Sequence, residues 1–151
     1  MTCIIEDTRQ KADKHALKHA SFDESGDLIF RSRLLFGDYA LPPSVAVDTK
    51  EDVTEIAYNM CGSAKEKKRF SQECYTARLC NSRLVFLIED SRFDDINSLY
   101  GHTIHLHNGM DIPGAQLAKA MHITASRYGV EFRFCDKKDT ANIIKEILKD
   151  G

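Results

Sequence analysis

Asp38, Asp48 and Lys50 lie on the two arms of a short segment centred on Pro42 and Pro43. The arms, Gly37 to Leu41 and Val45 to Lys50, combine alternating and β-branched residues on either side of the proline pair, so they read as two short strands joined by a turn. Side chains two apart on a strand share a face: Asp48 and Lys50 project together while Thr49 points the other way. Asp38, on the neighbouring strand, completes a set of two carboxylates and one ammonium. Mg²⁺ takes hard oxygen ligands and commonly only one or two carboxylates, leaving its other positions to water and phosphate oxygens. The lysine would orient an attacking water or neutralise charge developing on a phosphate. Together these residues describe metal-assisted hydrolysis of a phosphodiester. An Asp-x-Lys triplet by itself is a common surface feature, but this one ends the apolar run Val45 to Val47, where a charged pair is out of place without a purpose.

The elements that must position these residues fit one domain of 151 residues, long enough to bury a real core. With 42% hydrophobic and 29% charged residues the composition is that of a soluble protein. A formal charge of -2 argues against a generally basic nucleic-acid coat protein, yet leaves room for a local basic face on an acid-rich metalloenzyme. The five cysteines (3, 61, 74, 80 and 135) form no C-x-x-C pair, so reduced thiols are expected and structural zinc is not. No run of apolar residues approaches the roughly 20 needed to cross a bilayer, and no basic-then-apolar leader opens the chain.

In chain order, Cys3-Ile4-Ile5 is a buried strand that ends in acids, and Arg9 to Ala20 is a surface helix whose one strong apolar residue is Leu17. Ser21 to Gly26 is turn chemistry. Leu28 to Phe36 alternates as a strand, expected to pair with the one carrying Asp38. Val53, Ile56, Ala57 and Met60 make the inner face of a helix closed by Gly62, and Phe70, Cys74 and Ala77 that of a second. The second is approached through Lys65-Glu66-Lys67-Lys68-Arg69, which is either a solvated face or a DNA contact. Leu84 to Ile88 is a continuous apolar strand ending in Glu89-Asp90, as expected for a sheet covered on both faces. Three runs, around Ile5, Val47 and Ile88, thus deliver carboxylates at their C-terminal ends, where open α/β sheets place ligands if the strands are parallel. His102, His105 and His107 have spacing that suits a polar strand face or loop better than a metal site. Pro113 opens a helix with Leu117, Ala120, Met121, Thr124 and Tyr128 on one face; Val130 to Phe134 is a last strand, and Asp139 to Lys149 a closing helix.

In this order the elements resemble the XPF-type nuclease domain, a branch of the restriction-endonuclease-like superfamily. The family's D-x-R-E element stands as Asp7-Thr8-Arg9-Gln10, with Gln10 in place of the acid. Its G-D-Y element is intact as Gly37-Asp38-Tyr39. Its E-R-K element is matched by Asp48-Thr49-Lys50, which keeps an acid and the lysine but not the arginine. Arg69-Phe70-Ser71-Gln72 looks like its R-x-x-Q element, and Leu84 to Glu89 like its apolar strand ending in glutamate. The match spans nearly the whole chain, although Thr54 stands where the family tends to have an aspartate.

The resemblance implies an α/β, restriction-endonuclease-like fold, a central mixed β-sheet flanked by helices on both faces, formed by residues 1–151 as a single domain without the family's helix-hairpin-helix domain. It also implies an endonuclease for branched, flap or fork DNA, with Asp38 and Asp48 holding Mg²⁺ or Mn²⁺ and Lys50 positioning the nucleophilic water. Asp7 would assist the metal or its waters, and Arg9, Arg69 and Gln72 would meet the phosphate backbone or organise the site. A homodimer or a heteromeric partner is implied, with work in the cytoplasm at a nucleoid, or in a nucleus, and none at a membrane. The alternative is a non-catalytic DNA-binding or scaffolding member of the same fold: Gln10, Thr49 and Thr54 favour it, and the survival of Asp38, Asp48 and Lys50 together opposes it.

Overall fold

A computed structural model describes residues 3–10, 16–26, 28–34, 36–41 and 45–150. The elements are β1 (Cys3–Asp7), α1 (Ala16–Glu24), β2 (Leu28–Ser32), β3 (Tyr39–Leu41), β4 (Val45–Lys50), α2 (Val53–Cys61), α3 (Ala64–Leu79), β5 (Arg83–Ile88), β6 (Thr103–His105), β7 (Asp111–Pro113), α4 (Gly114–Tyr128), β8 (Glu131–Phe134) and α5 (Thr140–Asp150). Six strands form one sheet in the order β2-β1-β3-β4-β5-β8, and β6 and β7 form a separate hairpin. In the large sheet β1 and β2 pair in parallel, as do β4 with β5 and β5 with β8, whereas β3 is antiparallel to both of its neighbours. The sheet is therefore mixed, and the C-terminal ends of β1, β4 and β5 share one edge with the N-terminal end of β3.

Strand alternation divides the core in two. Ala46, Leu84, Phe86 and Ile88 face α2, α3 and α4. Val45, Val47, Val85, Leu87, Ile4 and Tyr39 face Phe22 of α1 and the inner stripe of α5, Ala141, Ile144, Ile147 and Leu148. Leu84 to Ile88 are buried on both sides, as their uninterrupted apolar run requires. The inward residues expected of α2 and α3 are buried in those roles. Gly62 follows α2 because nothing larger fits: a Cβ there would lie 2.4 Å from the Tyr58 carbonyl oxygen.

Two expectations are corrected. The first helix, described from Ala16, extends past Ala20 to Glu24, where the fully buried Phe22 anchors it to the sheet; Thr8 to Gln10 are not helical, and residues 11–15 of the expected helix lie outside the described residues. The isolated aromatic was missed because it sits among turn-forming residues. The strand beginning at Leu28 ends at Ser32 and pairs with β1, not with β3. A parallel pair needs a long crossover, and α1 supplies it; β3 then fills the other edge of β1. The turn at Pro42 and Pro43 lies outside the described residues.

Candidate active site

Gly37 and Asp38 wedge between β1 and β4 at the shared edge. The Asp7 amide donates to the Asp38 carbonyl, and the Asp38 amide to the Val47 carbonyl, each at 2.7 Å. Gly37 has φ +75°, and a Cβ there would meet the Ala46 Cβ at 3.0 Å, so both conformation and space call for glycine. Tyr39 turns inward to the α1–α5 face, edge-on to Phe22, and belongs to the core. The strand pattern thus separates the triplet Gly37-Asp38-Tyr39 into one residue for the chain path, one for the site and one for packing.

On β4 the alternation places Asp48 and Lys50 together, as expected. Lys50 Nζ lies 2.9 Å from Asp48 Oδ1, with both side chains nearly buried, and 5.8 Å from the centroid of the Phe86 ring. Thr49, which faces away from them, donates to Asp38 Oδ2 from its amide at 2.7 Å and from its hydroxyl at 2.8 Å. Thr49 therefore braces an acid of the candidate site.

A third carboxylate arrives from α3. Glu73 Oε1 accepts from the Gly37 amide at 2.9 Å, and its carboxyl lies within the field of Asp48. Sequence reasoning missed it, though a signal was present: Glu73 falls between Phe70, Cys74 and Ala77 at i, i+3, i+4 and i+7, an acid standing within an inward stripe. Glu55 of α2 is a fourth acid within the field of Lys50.

The electrostatics follow from this surplus of acids. Burial, and then the Asp48 charge, push the Asp38 carboxyl up to about 7 from its ordinary 3.8. The same two causes push Glu73 up to about 8. For Lys50 burial acts downward, but Asp48 and Glu73 outweigh it and hold the ammonium above its ordinary range. Among the described residues no set of three or more His, Cys, Asp or Glu side chains is arranged to enclose a metal. A donor set of Asp38 and Asp48 nevertheless fits a divalent cation that keeps most of its water, and an excess of acids over the single Lys50 ammonium is what such a cation relieves.

The remaining expected residues divide. Asp7 is buried at the same edge, but its carboxylate is taken by Arg9 Nε at 2.6 Å and by the Leu34 amide at 3.2 Å; only its main chain meets Asp38. Arg9 also donates to the Leu34 carbonyl at 2.8 Å, which leaves it half exposed beside the edge. Arg69 and Gln72 are exposed on α3, and Arg69 pairs with Glu66 at 3.0 Å, one turn before Glu73. Lys65, Lys67 and Lys68 are exposed on the same first turns. The carboxylates at the end of β5 go elsewhere: Glu89 to the opposite face of the sheet, Asp90 to the Val53 amide at the start of α2 at 3.1 Å. The three histidines are separated, His102 on the Phe93 ring, His105 on Asp111 at 2.6 Å and His107 on Tyr58.

The mixed six-stranded sheet and its flanking helices have the fold of solved XPF structures. XPF from Aeropyrum pernix superposes on the chain with a TM-score of 0.69 at 16% identity, covering 97% of this chain and 60% of that one. XPF from the same organism in complex with DNA gives 0.67 at 15% identity, covering 97% and 63%. The chain spans about three-fifths of the length of these structures, and the likeness is one of fold. No family model matches the chain, and no curated protein matches it in sequence.

Proposed function

We propose that this protein is a divalent-metal-dependent endonuclease that hydrolyses phosphodiester bonds in branched, flap or fork DNA. The observation that carries the reading is the gathering of Asp38, Asp48 and Lys50 at one sheet edge, where burial and then the Asp48 charge push the Asp38 and Glu73 carboxyls above their ordinary range. The shared fold with XPF, one of whose structures is in complex with DNA, supports the choice of substrate.

Asp38 and Asp48 would hold Mg²⁺ or Mn²⁺, which supplies Lewis-acid polarisation of the phosphate and lowers the pKa of a bound water. Lys50, kept charged by its acids, would orient the nucleophilic water and offset charge developing on the phosphate oxygens. Thr49 holds Asp38 in place. Arg9, Arg69 and Gln72, exposed near this edge or along α3, would meet the backbone of the DNA. The same reading gives the protein a second copy or a heteromeric partner, and a place of work wherever the DNA lies.

Labelled flap, splayed-arm and plain duplex DNA, incubated with Mg²⁺ or Mn²⁺, test this directly beside an EDTA control and Lys50→Ala. Metal-dependent cutting that favours branched DNA and is lost in the variant is expected. A folded protein that shifts branched DNA in a gel but cuts none of the three with either metal would establish the scaffolding alternative instead.

A further inference from the structure

The main chain of Asp38 is fixed on both sides, since its carbonyl accepts from the Asp7 amide and its amide donates to the Val47 carbonyl, each at 2.7 Å. What the strands leave free is the carboxyl group, because the last torsion of an aspartate is broad and contacts from outside must set it. Thr49 supplies two of them. The ladder between β3 and β4 ends at the pair Tyr39 and Val47, so the Thr49 amide lies beyond it, and the Asp38 carboxylate takes that amide in place of a strand carbonyl, at 2.7 Å. The Thr49 hydroxyl donates to the same oxygen, Oδ2, at 2.8 Å. Any residue but proline would bring the amide; the hydroxyl is what threonine adds. A β-branched side chain is stiff about its first torsion, so the direction of that second donor is held as well. Two donors converging on Oδ2 fix the plane of the carboxylate, and Oδ1 is the oxygen they leave to a cation.

We propose that Thr49 is a positioning residue whose hydroxyl clamps Asp38 Oδ2, so that Oδ1 meets a divalent cation in one set orientation. This rests on the metal-nuclease reading above. On the motif alone Thr49 favours a non-catalytic member; as a clamp it serves the chemistry instead. The rival role is a strand-end cap, in which the same two bonds secure only the junction of β3 and β4. The two roles differ in what the hydroxyl changes. A cap acts on how much of the protein is folded, whereas a clamp acts on the cation affinity of the folded molecules. Groups one step removed from a metal commonly orient its ligands in this manner, and their loss costs roughly 10–100-fold in metal affinity or activity.

Binding of Mn²⁺ by calorimetry, with DNA cleavage at limiting Mn²⁺ alongside, distinguishes them in wild type, Thr49→Val, Thr49→Ser and Asp38→Ala, each verified as folded by circular dichroism. Valine keeps the branching and the amide and removes only the hydroxyl. Thr49→Val is expected to weaken Mn²⁺ binding by about 10-fold or more, with cleavage falling in proportion, and Thr49→Ser to recover most of both losses. Valine that binds Mn²⁺ like wild type overturns the clamp in favour of the cap, whatever its melting temperature, and serine no better than valine overturns it by showing that the hydroxyl is not what counts. Wild type that binds no Mn²⁺ removes the metal reading itself, and the clamp's purpose with it. Wild type that binds while Asp38→Ala binds equally well overturns the clamp and leaves the metal to other ligands.

Discussion

Two polar clusters lie within the breadth of one sheet, on opposite faces of the same edge, and they are built on opposite principles. Beneath α1 and α5, Glu89 has both oxygens engaged, one by Lys18 Nζ at 3.0 Å and the other by the Thr140 hydroxyl at 3.0 Å. Beneath α2 and α3, Asp38, Asp48 and Glu73 share Lys50, and two of the three acids are pushed toward holding protons. In the first cluster charge is matched by charge, and the group is a strut between β5, α1 and α5. In the second, acids outnumber cations, and the fold carries an electrostatic cost that a cation would remove. A burial pattern alone does not distinguish structure from function; the local charge count does.

Exchanging charge for amide or apolar groups should affect the two clusters in opposite senses. Asp38→Asn removes a buried acid, so cleavage should fall by about 100-fold or more, while the metal-free protein melts at or above the wild-type temperature at pH 8. Lys18→Met strands Glu89 without its cation, so it should cost about 3 kcal/mol of stability, measured by urea unfolding, with cleavage per folded molecule unchanged. Were Asp38→Asn the destabilising variant and Lys18→Met the neutral one, the contrast between the clusters would be wrong.

The surplus of acids also fixes the sense of a pH dependence. Asp38 and Glu73 bind protons more tightly in the folded chain, at about 7 and about 8, than at their ordinary values of 3.8 and 4.5. Their contribution to stability is therefore full below about pH 4 and is lost as pH rises through 7 and 8. Metal-free protein should lose melting temperature from pH 5.5 to 8.5 relative to a Asp38→Asn/Glu73→Gln variant, and millimolar Mg²⁺ should reverse the loss. A wild-type curve parallel to the variant's would show that the acids are already compensated.

The smallest effect is expected outside both clusters. Arg69 is exposed and, among the described residues, pairs with Glu66 on its own helix, so Arg69→Ala should change stability by less than about 1 kcal/mol. If it meets a DNA phosphate, the variant should lower the slope of log affinity against log salt by about 1, as read by fluorescence anisotropy. An unchanged slope would return the basic start of α3 to a solvated face.

Much of this was legible from residue order. The alternation in Val45 to Lys50 placed Asp48 and Lys50 on one face, the apolar run Leu84 to Ile88 marked a strand covered on both sides, and the capping glycine after Tyr128 closed α4. Those features are local, governed by periods of two and of about 3.6 residues that a chain carries in its own order. The antiparallel insertion of β3 between β1 and β4, the reach of Glu73 across to Gly37, and the turning of Glu89 to Lys18 and Thr140 are not. They depend on which surfaces meet once helices cover the sheet, and on how many charges each side of it then encloses. Sequence alone determined that Asp38, Asp48 and Lys50 could do the chemistry; the tertiary structure decided which acids share a single cation, because the cost of burying charge is set by neighbours distant in the chain.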